Sequence, residues 1–406
     1  MLPKPTPGHL CRPMANTRLS DQQRRNRLGH RHTLTSAQAT NDVETIVRSV
    51  LALHASDPAT VYLSCVARMK DPSIEAIEKT IYEDRSVVRH HAMRRTIWVM
   101  SKRAARLAHA TATEKIAAGE TKRTVKALVA SDVNKPEEWL AAAKAEVVAL
   151  LAKKGSMSTR EVGQALPDMV IPLEFGSEKH SATLNAHTKV LQGAGFDGIV
   201  VRGKPGGTWI SSEYPWSVTE DWLGEPLVGL DTREAAAELV DLWLRQFGPA
   251  TEEDIVWWFG VTKTLVRNAL GDSEAEPVML DGDVEGWVGA GDTDDVASPD
   301  PWVRLLPGLD PTSMGWKLRD FYLNPDYLDP LFDRFGNIGP TIWADGRIVG
   351  GWIQRDDATI VTELFEKLSK KQQVLLDEAI DQMGTALGDV VVRPRFPARM
   401  QKTLLA

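Results

Sequence analysis

Three times between Val43 and Val288 the sequence passes through short capped helical segments into a pair of β-like runs. That recurrence limits the fold more than any other feature. In the first copy, Val43, Ile46, Val47, Val50, Leu51 and Leu53 recur at near-helical spacing and predict a helix over "TSAQATNDVETIVRSVLALHA". Pro58 cannot extend that helix but suits the first turn of the next, with Ser56 or Asp57 as its N-cap. Ser73 caps a third helix, the runs "SVVRHHAM" and "RRTIWVMS" read as strands, and a long helix begins at Ser101. The second copy offers helices over "PEEWLAAAKAEVVALLAKKG", "SMSTREVGQALP" and "HSATLNAHTKVLQGAGF", then a hairpin "GIVVRGKPGGTWISS" turning at Lys204-Pro205-Gly206-Gly207. The third has "TREAAAELVDLWLRQFG", helices capped by Thr251 and Thr262, and the β-pair "EPVMLDGDVEGWVGAG".

Three helices followed by a hairpin is the order of a winged helix. A repeat of roughly 70–100 residues is too long for a solenoid and right for tandem small domains. After Pro301 the texture changes to short strands, with Asp345-Gly346 as a hairpin turn, a final helix over "ELFEKLSKKQQVLLDEAIDQMG" and a last strand "DVVVRPRF". The expected fold is mainly α with α+β character: three tandem winged-helix units plus a strand-rich C-terminal α+β domain. Expected bounds are a disordered basic arm over 1–32, winged-helix units over 33–130, 131–230 and 231–300, and the C-terminal domain over 301–406.

No apolar run approaches the ~18 residues a membrane helix needs, and the N-terminus has no apolar signal core, so a cytoplasmic protein without membrane association is expected. Two cysteines, Cys11 and Cys65, supply neither a disulfide framework nor a zinc site. The net charge of −7 hides a strong polarity. Residues 1–32 carry Lys4, Arg12, Arg18, Arg24, Arg25, Arg27 and Arg31 against Asp21, whereas residues 271–303 carry ten acids and no Lys or Arg. Such a chain can present a basic face while staying acidic overall.

Against that background the stretch His54-Ala55-Ser56-Asp57 stands out, a polar cluster between two apolar segments. A helix junction capped by Ser56 or Asp57 accounts for it, and so does a catalytic pocket. Other chemistries lack their motifs: there is no phosphate loop, Cys-x-x-Cys, His-Glu-x-x-His or Gly-x-Ser-x-Gly. His90 and His91, adjacent on a strand, point to opposite faces and cannot share a metal. No metal and no cofactor is expected.

A winged helix sets its third helix in a major groove and its wing near phosphate. The second copy suits duplex DNA through His180, His187 and Lys189 on its third helix and Arg202 and Lys204 on its wing. The third offers Lys263 and Arg267 but an acidic wing. Arg68 closes the second helix of the first copy, as a phosphate contact or a surface ion pair. Arg94 and Arg95 lie between paired strands, as phosphate contacts or a solvated tip. Winged helices also serve as protein–protein modules, so a scaffold that binds no DNA stays open.

The blocks "VLALHASDPATVYLSCVAR", "RHHAMRRTIWVM" and "LLPGLDPTSMGWKLRDFYL…GPTIWADGRIVGGWI" resemble, in order and over roughly residues 34–400, the tandem winged-helix DNA-binding family that includes bacterial interstrand-crosslink DNA glycosylases. The resemblance implies winged helices cradling duplex DNA, a C-terminal domain closing the cradle, and a monofunctional N-glycosidic hydrolase acting as a monomer in repair or self-resistance. Crosslink-unhooking members carry Gln-x-Gln or Gln-x-Asp where this chain has His54-Ala55-Ser56. Position 54 keeps a hydrogen-bonding side chain, while position 56 keeps only a hydroxyl.

An N7-alkylated purine is already cationic and leaves without a general acid. The remaining task is to place a water against the anomeric carbon. His54 as a neutral imidazole, with Ser56 orienting the water and Asp57 holding the tautomer, is the expected catalytic set. The rival is a non-catalytic sensor or regulator that kept the DNA cradle.

Overall fold

In the computed structural model, residues 17–177 and 180–405 are described. Most regular structure is helical, and the strands fall into several small sheets.

The first copy departs from its helical spacing at the point that matters most. The helix Val43–Ser49 stops early, Leu51 takes a left-handed backbone (φ 59°), and Ala52–His54 becomes a strand. That strand pairs antiparallel with Ile97–Ser101, placing His54 opposite Trp98, and Val87–His91 completes a three-stranded sheet. The apolar spacing of Val50, Leu51 and Leu53 suits a helix, but all three are buried without one, and Leu53 pairs with Val99 in the sheet, where pairing overrides helical propensity. Asp57 then caps Pro58–Val66 and Ser73 caps Ile74–Glu78.

The second copy has its own core. Leu140, Val147 and Leu151 of Pro136–Lys154 pack with Val190, Leu191 and Trp216. The run expected as one helix from His180 divides: His180–Asn185 is a strand paired with Pro172–Ser177, and only Ala186–Phe196 is helical. The later hairpin pairs Val200–Arg202 with Trp216–Val218, so residues 203–215 form a long connection rather than a tight turn at Lys204–Gly207.

In the third copy, Thr232–Phe247, Glu252–Phe259 and Lys263–Asp272 precede the strands Glu276–Leu280 and Val284–Val288. Phe247 stacks on Trp243, tilts against Trp258 and also meets Trp316 of the C-terminal part, which fuses the two into one core.

The C-terminal part is a four-stranded antiparallel sheet ordered Val303–Leu306, Thr341–Ala344, Arg347–Gln354, Ile360–Leu364. Asp345 and Gly346, both at positive φ, make the expected turn. Two C-terminal expectations are corrected. Glu363 and Leu364 belong to the strand Ile360–Leu364, and the helix begins only after Ser369, over Lys370–Leu387. The segment "VVVRPRF" is not a strand. It runs as an irregular strap tied to Gln354, whose amide bonds Val390 and Val392, and a further helix spans Arg399–Leu405.

The basic arm is corrected too. Residues 1–16 lie outside the described residues, but Arg18–Leu19 pairs parallel with Glu276–Leu280 and Asp21–Arg31 is a helix. Composition predicts disorder here, yet Arg27 donates to the carbonyls of Asp292 and Asp294, and Arg31 meets the Asp292 carboxylate at 2.5 Å. The acidic segment is the arm's counter-ion.

Candidate active site and nucleic-acid interface

His54, Ala55 and Ser56 form a ridge where the short strand turns toward the helix at Pro58. Ala55 N–H donates to Ile97 O at 2.8 Å, Arg89 Nη1 donates to Ala55 O at 3.2 Å, and Arg395 Nη1 donates to Ser56 O at 3.0 Å. The carbonyls of Ala55 and Ser56 are therefore held by guanidinium groups from distant segments.

Different cavities meet at this ridge. His54 lines one of about 430 Å³ with Arg94, Thr96, Trp257, Met314, Arg319 and Phe332. Ser56 lines another, of about 540 Å³, with Arg95, Glu120, Lys189, Arg202, Tyr214 and Arg395. Thr96 borders both. The expected catalytic set is thus divided by the wall it forms.

His54 is buried, its ring edge-on to Trp98 at 4.9 Å between centroids. Burial, helped by the charge of Arg94, pushes its pKa down to about 3, so the imidazole is neutral at any physiological pH. The Ser56 amide donates to Nδ1 in a long contact of 3.5 Å, which favours the tautomer with hydrogen on Nε2. In this geometry His54 offers a donor from Nε2, and acting as a base requires releasing the Ser56 amide.

Asp57 does not support His54. One carboxylate oxygen caps Ala59 N–H at 3.1 Å and the other accepts Arg395 N–H at 3.0 Å. Burial raises its pKa against those bonds. It is a helix cap and an anchor for the C-terminal strap.

Of the expected DNA contacts, Arg95, Lys189 and Arg202 converge on the Ser56 cavity. Glu120 sits among them, 2.8 Å from Arg95 and 3.6 Å from Lys189. Arg202 has no carboxylate partner among the described residues, lies over Trp216 at 4.4 Å, and is lowered to about 10 chiefly by burial. Arg94 belongs to the other cavity. Lys204 is exposed and paired with Glu78 at 2.8 Å, and Arg267 is paired with Glu252 at 2.8 Å. Lys263 is exposed on the same helix as Arg267. His187 is buried on Ala186–Phe196, and the His180 side chain lies outside the described residues.

Arg68 is corrected. It is fully buried, with Nη1 and Nη2 donating to the Asp310 carboxylate at 2.8 Å each and Nε to His32 O at 3.0 Å. A guanidinium satisfied in the core cannot contact DNA. It ties the first copy to the C-terminal sheet.

Sequence reasoning missed Arg89, Glu120, Tyr214, Trp257, Arg319 and Arg395. Apart from Glu120, their common signal is basic or aromatic residues beside apolar runs, too general to select them without the fold. Among the described residues no helix is long and apolar enough to cross a membrane, and no group of three or more His, Cys, Asp or Glu stands together to hold a metal.

Over 94% of this chain and 99% of the other, the structure superposes on the DNA glycosylase AlkZ of Streptomyces sahachiroi with a TM-score of 0.72 at 20% identity, a likeness of fold. The chain is 30% identical over 183 residues to an interstrand DNA cross-link repair glycosylase of Streptomyces sahachiroi, a match spanning 43% of this chain and 48% of that protein. The family described as DNA glycosylase AlkZ-like matches residues 47–388, most of the chain. This chain belongs to the AlkZ-like DNA glycosylase family.

Proposed function

We propose that this chain is a DNA-repair glycosylase that hydrolyses the N-glycosidic bond of bulky N-alkylated purines or crosslinked bases in duplex DNA. The observation that carries this reading is the position of the His54-Ala55-Ser56 ridge between two cavities rich in arginine and aromatic side chains. The name of its relative, an interstrand DNA cross-link repair glycosylase, supports the same substrate class.

The chemistry follows from the lesion. An N7-alkylated purine carries positive charge and departs without protonation, so the protein needs to place a water at the anomeric carbon and tolerate oxocarbenium character. His54 is neutral and beside a cavity. It orients that water from Nε2, or accepts its proton once the Ser56 amide releases Nδ1. Ser56 orients the strand from the adjacent cavity, where Arg95, Lys189 and Arg202 meet phosphates. The three-unit winged-helix organisation belongs to this proposal, supported by the capped helices Glu252–Phe259 and Lys263–Asp272 running into a β-pair. So do action as a monomer and residence in the cytoplasm.

The test is incubation of the full chain with an N7-alkylated duplex, scored for abasic sites. Excision supports the proposal. Salt-sensitive binding without excision over several hours overturns it in favour of a non-catalytic sensor, a reading favoured by the loss of the second amide or carboxylate at Ser56. Absence of salt-sensitive duplex binding at about 50 mM salt overturns both and leaves a protein-interaction scaffold.

A further inference from the structure

Arg94 and Arg319 are an unusual pair in the His54 cavity. Neither forms an ion pair among the described residues, and no Asp or Glu lines that cavity. The carboxylate of the neighbouring loop, Asp333, is used internally: it accepts the amides of Phe335 and Asn337 and the Asn337 side chain. Both guanidiniums are instead laid on aromatic faces, Arg94 at 4.6 Å and Arg319 at 5.5 Å from the Trp257 ring centre, with Arg319 also 4.9 Å from Phe332.

These cations also repel each other. Arg94 is lowered to about 10, first by burial and then by the charge of Arg319. The backbone holds Arg94 in place all the same. Arg94 sits at φ 56°, and Gly260, at φ 67°, packs so closely that a Cβ there would lie 2.8 Å from Arg94 Cγ. A half-buried pair of like charges, held rigidly and without counter-ion, is a preorganised site for an anion. A cationic alkylated base is repelled by the same field.

We propose that the His54 cavity takes a phosphate group, gripped by Arg94 and Arg319, with the neutral imidazole of His54 beside it as a further hydrogen-bond donor. That this phosphate belongs to the DNA strand carrying the lesion rests on the proposed function, whereas the anion chemistry does not. Bound there, the phosphate fixes the strand against the ridge and leaves the base to be accommodated elsewhere. The lesion is therefore recognised without insertion into this cavity.

Calorimetric titration of the full chain with deoxyguanosine 5′-monophosphate, inorganic phosphate and unphosphorylated deoxyguanosine tests the site. The phosphorylated probes are expected to bind and deoxyguanosine to fail. Arg319→Gln should weaken phosphate binding roughly tenfold to a hundredfold, the usual loss for a charge-assisted bond, and Arg94→Gln, a second variant should Arg319→Gln fold poorly, should do the same. A phosphate added beside His54 should also shift the His54 ring resonances, a change absent in Arg319→Gln. Unchanged phosphate binding in both variants, or deoxyguanosine bound as tightly as its monophosphate, overturns the proposal.

A duplex arm separates the sources. Arg319→Gln should lower the salt slope of duplex binding by about one. Loss of monophosphate binding with an unchanged slope overturns the assignment to DNA. Should the wild type excise nothing from alkylated duplex, the proposed function falls while the phosphate titration still decides the anion site.

Discussion

Arg395 and Ser56, far apart in sequence, meet at 3.0 Å: the guanidinium donates from Nη1 to the Ser56 carbonyl, while the Arg395 amide donates to the Asp57 carboxylate at 3.0 Å. The C-terminal strap is thereby the outer brace of the ridge, and buried Arg89 is the inner one. Arg395→Ala should cost about 1 kcal/mol in urea unfolding, the size of one net hydrogen bond, yet reduce excision by more than that loss explains. Equal losses in both measurements would make Arg395 a stability contact alone.

His54→Ala should remove most excision of an N7-alkylguanine while leaving duplex affinity nearly intact, a rate loss of ~10² to 10⁴ if the imidazole activates water. His54→Gln is the sharper variant. Glutamine offers one donor and one acceptor without titrating, so it should retain activity if His54 only orients water. Complete inactivity of His54→Gln alongside an active wild type would show that proton acceptance is required. Single-turnover abasic-site formation measures both.

The pH profile of stability follows from the buried histidines. His32, His54 and His91 are lowered to about 3 and His109 to about 4, each chiefly by burial, and His90 lies well below its usual 6.5. Between those values and 6.5 the unfolded chain binds protons that the folded chain refuses. Their stabilisation is thus complete above about 6.5 and lost as pH falls toward 4, on the order of 1 kcal/mol per group per pH unit. Urea midpoints should fall steeply from pH 6.5 to 5. Excision, limited by a His54 that is already neutral, should stay flat over the range where the protein remains folded.

Arg68→Ala should cost about 3–5 kcal/mol, because it strands the Asp310 carboxylate in the core. Asp310→Ala should be as harmful, and an Arg68→Met/Asp310→Leu double variant should recover part of the loss. The salt slope of DNA binding in any soluble Arg68 variant should match the wild type, since the guanidinium never reaches the surface. A reduced slope would refute that placement.

Arg202 and Lys204 should differ. Arg202 lines the Ser56 cavity and forms no ion pair among the described residues, whereas Lys204 is exposed and satisfied by Glu78. Arg202→Ala should weaken duplex binding and lower the salt slope by about one, with Lys204→Ala having the smaller effect. Titrations at several salt concentrations check this, and equal effects would place both in the same groove.

What was legible in the sequence was local. Ser73, Thr251, Thr262, Ser158 and Asp57 cap helices as their residue types dictate, because a cap is decided within four residues. Asp345-Gly346 turns the C-terminal hairpin for the same reason. The stretch His54-Ala55-Ser56 was singled out too, through the resemblance of three blocks to the family, but its place on a strand was not.

The sequence by itself determined the helical majority, most caps, the β-pairs of the third copy and of the Asp345-Gly346 hairpin, and the membership of a DNA glycosylase family, since each rests on short-range pattern or on recognisable blocks. Only the tertiary structure decided that His54 lies on a strand, because the apolar residues before it are as well buried when Ala52, Leu53 and His54 pair with Ile97–Ser101 as they would be on a helix. It likewise decided that the basic arm folds onto the acidic segment and that Arg68 is buried against Asp310. Whether an arginine meets solvent, a carboxylate or a cavity depends on partners hundreds of residues away, and no local pattern records that choice.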